Sequence, residues 1–549
     1  IWEITMMTKP WMCQSGLAKL QAHRFLGGKM KKLTRRIIAI AASSALVLGF
    51  ATSANADAWV ASWADAPDGS MVAAITEVNE WGSVSSRQFL PAKPPHRGDS
   101  GLCPEGVTAD GPCSLADGEN IFLASQILPV CASSAQENCV ESLRFGLEGS
   151  ELAPASYVRN VAGQTYPEGD SGLYAGSTVS IWDAPGLAHA GGTTKYVVQV
   201  KTEMTFDPRT LSYKAFELMA SILPFNEKSG SYKASKLVMQ PDQSGRLGIN
   251  GWGMTAGCAY TEDGFCGALQ DFADKSRFEL SLRISNDITG WFRGRIQDPA
   301  VSIEKLSSTN NRIVMTATSV KVPRFAALVS KSTTSDRGVA LLADSSRTGA
   351  LELFKGKTLR SVAPHYNGIE WIEEFRDVAK DTAAAITTHW NFSTLAGGGE
   401  NNSCFADKSR VVGVVTTSAT AMEPATPEFK NGLLTYKVAG LHYAPDGKTL
   451  NEGSYDLVMR SDVARCLYGF SKAPLSATVS VIGEGGENKV ATTVVSEKDG
   501  WLKLAAYGFT FSSPTISVKL SQAKAPAKKT TITCVKGKLT KKVTAVGPK

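Results

Sequence analysis

From Met30 the chain reads Lys31-Lys32, then Arg35-Arg36, then an apolar run from Ile37 to Phe50, then small residues ending Ala54-Asn55-Ala56. This is the basic, apolar and small-residue order of a secretory signal peptide, with cleavage expected after Ala56 or two residues later. The apolar run has 14 residues, short of the roughly 20 that a transmembrane helix requires. An exported chain matures where thiols oxidise, so its cysteines are expected in disulfides. Nine cysteines lie beyond the leader, and covalent loops restrict the fold more than any other feature here. Spacing suggests the pairs Cys103 with Cys113, Cys131 with Cys139, Cys258 with Cys266 and Cys404 with Cys466. On loop entropy each short loop contributes about 2.5 kcal/mol and the long one about 4. A metal site fits less well, because the short pairs lack Cys-x-x-Cys spacing and no histidine stands beside them. Cys534 is left over, which calls for a partner elsewhere; the expectation is a truncated chain with that partner beyond Lys549.

Residues 1–29 precede the leader and show no targeting or domain pattern. Gly27-Gly28 before Lys29-Met30 is what a purine-rich ribosome-binding site gives when translated in frame. Met30 is therefore the expected start, with 1–29 an upstream artefact and 30–56 the signal peptide.

Charge is distributed in blocks. The formal net charge is +7, but residues 1–56 alone carry +7 and the eight lysines from Lys524 to Lys549, with no acid among them, carry +8. The body from Asp57 to Ala523 is therefore at −8. An acidic body argues against specific nucleic-acid binding, whose usual footprint is a basic face.

Within the body the dominant signal is period-two alternation. "YVVQVKTEMTF" (196–206), "RFELSLRIS" (277–285) and "RIVMTATSVKV" (312–322) alternate as half-buried strands do, with turn signals between them, as in a sandwich or barrel. "CAYTEDGFC" (258–266) holds Asp263-Gly264 between two cysteines, which predicts a disulfide-clamped tight hairpin. One stretch reads as helix: Ile369, Ile372, Phe375, Val378 or Ala379, Ala383, Ile386 and Trp390 recur every three or four residues, with charges between them. Strands return after Ser403 in "RVVGVVTTSAT", "LLTYKVAGLHY", "ATVSVIG" and "ISVKL". The expected architecture is mainly β: two β-sandwich-like domains joined by an amphipathic helical segment and stapled by disulfides. The boundaries are 57–355 for an N-terminal β-rich domain, 356–395 for the helical connector, 396–522 for a C-terminal β-sandwich and 523–549 for a basic tail.

Two strings suggest catalysis and fail on context. "GDSGL" occurs at 98–102 and 169–173 and resembles the nucleophile loop of trypsin-like proteases. A serine needs a base and an orienting carboxylate; His96 is the only histidine upstream of either copy in the mature chain, and leucine replaces the glycine that would complete the signature. An aspartic-protease pair would have to be buried together on apolar strands, whereas Asp99 and Asp170 sit among Gly, Pro and charged residues. GDSGL therefore reads as turn chemistry. His189, His365, His389 and His442 show no zinc-type spacing. The glycine runs "AGGT" and "LAGGGEN" lack the Walker and dinucleotide patterns. No catalytic residue, metal ligand or cofactor is assigned.

The tail "KAPAKKTTITCVKGKLTKKVTAVGPK" opens as a Pro/Ala/Lys linker and continues as Thr/Val/Ile alternation with lysines. It reads either as a solvated extension or as a small basic hairpin that gains affinity for an anionic polymer through clustered lysines; the candidates are Lys528, Lys529, Lys536, Lys538, Lys541 and Lys542. "TITCVKGKLTKKVTAVGPK" resembles a C-terminal segment that recurs in secreted actinobacterial proteins. The stretches "SYDLVMRSDVARCLYGF" and "GWLKLAAYGFTFSSPTISVKL" resemble the C-terminal β domain of actinobacterial surface proteins. The resemblance carries no activity. It implies a secreted cell-envelope protein with a binding or structural role, whose partner is an anionic wall polymer or polysaccharide and whose mature chain has no integral membrane segment. The alternatives are a secreted hydrolase of polysaccharide or peptide, with a carboxylate pair not locatable in sequence, and a carbohydrate-binding protein using Trp252 or Trp291, for which core burial is the plainer role.

Overall fold

A computed structural model describes residues 69–75, 85–90, 101–102, 123–207, 210–234, 238–241, 247–250, 257–344, 353–354, 358–362, 367–395, 402–405, 410–470, 475–482, 488–489, 492–511, 515–522, 529–536 and 539–546. Among them strands predominate, with three short α-helices, Asp336–Asp344, Gly368–Phe375 and Ser461–Tyr468. The alternating segments form the strands expected of them. Lys195–Asp207 pairs antiparallel with Ser212–Ser229 over almost its whole length, and Ser276–Ser285 lies between Asn310–Thr318 and Cys139–Leu147.

Three layers organise the core. The largest sheet has 15 strands and includes, in hydrogen-bonded order, Leu123–Ile127, Lys195–Asp207, Ser212–Ser229, Asn391–Thr394, Gly290–Arg295, Val411–Thr417, Glu452–Arg460 and Trp501–Thr510. One face carries Tyr196, Val198, Val200, Met204, Phe292 and Phe392 into a cluster with Phe278, Leu280, Leu282 and Met315 of a five-stranded sheet. The opposite face, in its C-terminal half, carries Val415, Tyr455, Leu457, Leu502 and Leu504 against Tyr436, Val438, Ile516 and Val518 of a six-stranded sheet. Alternation supplies apolar residues to both faces where both are covered, as in Val411–Thr417, buried at every position.

This topology differs from two sandwiches joined by a helix. Gly290–Arg295 pairs antiparallel with Asn391–Thr394 on one side and parallel with Val411–Thr417 on the other. Strands from both sides of the expected boundary thus share one hydrogen-bonded sheet. The helical connector is corrected as well. Helix covers only Gly368–Phe375, where Trp371, Ile372 and Phe375 are buried among Met71, Phe325, Leu342 and Leu441. Lys380 and Asp381 then adopt positive φ of 53° and 51°, which ends helical geometry. The β-branched run Ile386-Thr387-Thr388 enters the strand Ala385–His389, followed by Asn391–Thr394. Apolar spacing of three to four was read through a segment whose second half is held by cross-strand pairing with Val320–Arg324.

Candidate functional sites: the basic hairpin and a polar cleft

Disulfides join Cys131 to Cys139, Cys258 to Cys266 and Cys404 to Cys466. The second clamps a hairpin: Cys258–Glu262 pairs with Phe265–Leu269 through a two-residue turn in which Gly264 has φ of 86°. The third ties the segment after Asn391–Thr394 to the helix Ser461–Tyr468. Cys103 and Cys113 lie outside the described residues.

The tail folds as a hairpin, Lys529–Lys536 against Leu539–Val546, in a two-stranded sheet of its own. Its register sets Thr533 opposite Lys542, Cys534 opposite Lys541, Lys536 opposite Leu539 and Lys529 opposite Val546. Four of the six candidate lysines therefore stand on one short ribbon; Lys528 and Lys538 lie outside the described residues.

Other sequence candidates resolve to structural roles. The second GDSGL copy is a 3-10 turn at Asp170–Gly172, with the Gly169 amide donating to Leu173 O at 3.0 Å; Gly98, Asp99 and Ser100 of the first copy fall outside the described residues. His189 is buried, its Nδ1 accepting from the Gly191 amide at 3.1 Å and its Nε2 lying 3.0 Å from Phe225 O. Burial pushes its imidazole below the ordinary range. Trp291 is 2 % exposed, packed edge-on to Phe405 and over Gly413, where a Cβ would stand 2.4 Å from the indole. It is a core residue with no sugar-stacking face, and Trp252 lies outside the described residues.

Sequence reasoning missed a cleft of about 610 Å³ between the turns that connect the layers. Its walls include Thr318, Ser418, Asn451, Ser454, Phe272 and Tyr507. Two ion pairs stand on its exposed rim, Lys275 with Glu148 at 3.6 Å and Lys321 with Asp274 at 2.7 Å; pairs so exposed add little stability. Behind Tyr507 lies an ionic cluster centred on the buried Asp456. The Tyr507 hydroxyl donates to Asp456 Oδ1, the Asp298 amide donates to Asp456 Oδ2 at 3.2 Å, and Lys503 Nζ is 3.6 Å from Asp456 Oδ1 while pairing with Asp298. Arg277 bridges Asp298 Oδ2 at 2.9 Å and Thr318 Oγ1 at 3.0 Å, linking the cluster to the cleft wall. Asp298 reaches this position because the strand Gln297–Lys305 bulges between Gln297 and Ala300, with Asp298 at φ 53°. Asp456 is 0 % exposed, and burial pushes its carboxyl up to about 6, against the pull of Lys503 and the Tyr507 hydrogen bond. Burial and the neighbouring Asp456 push the Tyr507 phenol up as well.

A second polar group lies on the central sheet. Glu203 and Glu217 are direct cross-strand partners beside the bulge at Phe216. Glu203 accepts from Ser125 at 3.0 Å and pairs with Lys201 at 2.8 Å, while burial raises the Glu217 carboxyl and Glu203 adds to the rise. A carboxyl raised by burial beside a second carboxylate is raw material for acid–base chemistry.

Among the described residues no group of three or more His, Cys, Asp or Glu is placed to hold a metal ion, and no helix is long and apolar enough to cross a membrane. No family model matches the chain, and neither a curated protein nor a solved structure is similar to it.

Proposed function

We propose that the protein is a secreted, envelope-associated binding protein that attaches to an anionic wall polymer through its basic C-terminal hairpin. The observation that carries this reading is the hairpin itself: four of the eight lysines the sequence concentrates between Lys524 and Lys549, with no acid among them, stand on a ribbon whose strands pair, among the described residues, with each other alone. The signal-peptide pattern at 30–56 and the three disulfides support export. Clustered cations gain affinity for a polyanion by releasing its counterions, so attachment is salt-dependent.

The test is co-sedimentation of the mature chain with purified Gram-positive cell walls across a salt series, beside a variant with Lys529, Lys536, Lys541 and Lys542 changed to Gln. Binding that falls with salt in the parent and is at least tenfold weaker in the variant supports the reading. Equal binding by both chains removes the hairpin from recognition. A hydrolase reading has one observation in its favour, the Glu203/Glu217 pair; on that reading Glu217→Gln abolishes release of reducing sugar from the same walls.

A further inference from the structure

We propose that the cleft lined by Tyr507 and Ser454 binds a short neutral oligosaccharide, a ligand distinct from the polymer at the tail.

The cleft's volume of about 610 Å³ lies within the range of sites that enclose small organic ligands. Its charge pattern selects among them. The rim cations Lys275 and Lys321 are each matched by a carboxylate, Glu148 and Asp274, and Glu452 adds a further acid to the lining. A phosphate, sulfate or uronate entering here meets no unmatched cation and at least one additional negative charge. A cationic ligand would find Glu452 as its one further counter-ion, and that side chain is exposed, where an ion pair contributes little. The cleft favours a ligand that needs hydrogen bonds and no charge.

The inner wall supplies those bonds. Ser454 is 5 % exposed, and its Oγ has no hydrogen-bond partner among the described residues. Its backbone is fully engaged: the amide donates to Ser418 Oγ at 2.8 Å, and the carbonyl accepts from Thr417 Oγ1 at 2.8 Å and from the Ser418 amide at 3.1 Å. A buried hydroxyl left unpaired beside a cleft is unfavourable until something fills the vacant bond. Thr318, Ser418 and Asn451 add further polar residues to the lining.

Tyr507 contributes differently. Its hydroxyl proton is committed to Asp456, so the phenol keeps acceptor capacity for an incoming hydroxyl, and its ring is fixed by the cluster behind it. Tyr507 is the cross-strand partner of Ser454, and an aromatic ring beside hydroxyl and amide side chains matches a sugar ring, which has an apolar face of C–H groups and an edge of hydroxyls. Asp456 is fully buried behind Tyr507 and positions it without touching the ligand.

The experiment is isothermal titration of the mature protein with a set of neutral trisaccharides built from glucose, galactose, mannose, xylose and N-acetylglucosamine, with trigalacturonate as the anionic control. At least one neutral trisaccharide is expected to bind, and trigalacturonate to bind at least tenfold more weakly. Ala444→Trp, which fills the cleft from a lining position without removing a polar partner, is expected to abolish binding. Ser454→Ala is expected to weaken binding about tenfold while leaving Tm unchanged or raised, since its hydroxyl bonds to none of the described residues; a purely structural serine would lower Tm and spare affinity. No binding across the set, binding indifferent to both substitutions, or preference for trigalacturonate would each overturn the proposal. Loss of wall attachment through the hairpin lysines leaves it untouched.

Discussion

Asp456→Asn tests whether the cluster behind the cleft holds a proton. In the wild-type protein burial raises the Asp456 carboxyl from 3.8 to about 6, a shift of about two units, or about 3 kcal/mol at about 1.4 kcal/mol per unit. A raised value means the folded chain binds the proton more tightly than the unfolded chain. The stability this confers is complete below about pH 4, near the ordinary carboxyl value, and is lost as pH rises through about 6. The groups facing the carboxyl are Lys503, the Tyr507 hydroxyl and the Asp298 amide and carboxylate. Asparagine cannot ionise; its single amide oxygen can keep the Asp298 amide as donor, while its Nδ2 donates to the Tyr507 oxygen, whose hydroxyl rotates to accept. Urea unfolding at pH 4 and pH 7.5, followed by tryptophan fluorescence, gives each chain's change in stability between the two conditions. Every other carboxyl is common to both chains, so its contribution cancels in the comparison. The wild-type protein is expected to lose about 3 kcal/mol more than the variant on going to pH 7.5. Stability curves that run parallel within about 1 kcal/mol would show that Asp456 titrates normally and would refute the burial argument.

Two further predictions concern stability. Removing the Cys404–Cys466 bond by a double change to Ala opens a loop spanning 62 residues and is expected to cost about 4 kcal/mol in chemical denaturation, against about 2.5 for the eight-residue Cys131–Cys139 loop. Glu141 accepts from Arg312 Nε and Arg283 Nη2, each at 2.6 Å, and from Ser281 at 2.7 Å; the Arg312 hydrogen bond leads in holding its carboxyl down at about 2, against a desolvation cost. A lowered value places its stability above the ordinary carboxyl range and removes it as pH falls through about 2. Glu141→Gln is therefore expected to cost about 3 kcal/mol at pH 7, a deficit that narrows as denaturation is repeated toward pH 2.

Local signals in the sequence carried local structure. Strict alternation marked Lys195–Asp207 and Ser276–Ser285 because each packs one apolar face on a neighbouring sheet. Asp263-Gly264 marked its hairpin because the turn needs a residue at positive φ. The central sheet was not legible, since pairing between Gly290–Arg295 and Val411–Thr417 spans more than a hundred residues and leaves no periodic trace. The cleft was hidden for the same reason: its walls come from residues as far apart as Glu148 and Tyr507. One trace of it was present. In "GSYDLVMR" a lone aspartate interrupts the buried run from Gly453 to Met459, and a carboxylate at such a position must be either paired or protonated. Asp456 draws on both, with Lys503 nearby and a raised proton affinity.

The two proposed sites are expected to differ in salt dependence, and this follows from how their charges are arranged. Around the cleft each rim lysine has its carboxylate within 3.6 Å, far inside the Debye length of about 8 Å at physiological ionic strength. Their fields cancel before salt can act, and a neutral ligand releases no counterions. In the tail the eight lysines have no acid among them, so a polyanion bound there exchanges condensed ions for lysines and loses affinity as salt rises. A sugar held in the cleft should therefore titrate with the same affinity at 50 and 500 mM salt, while wall attachment through the hairpin collapses over that range.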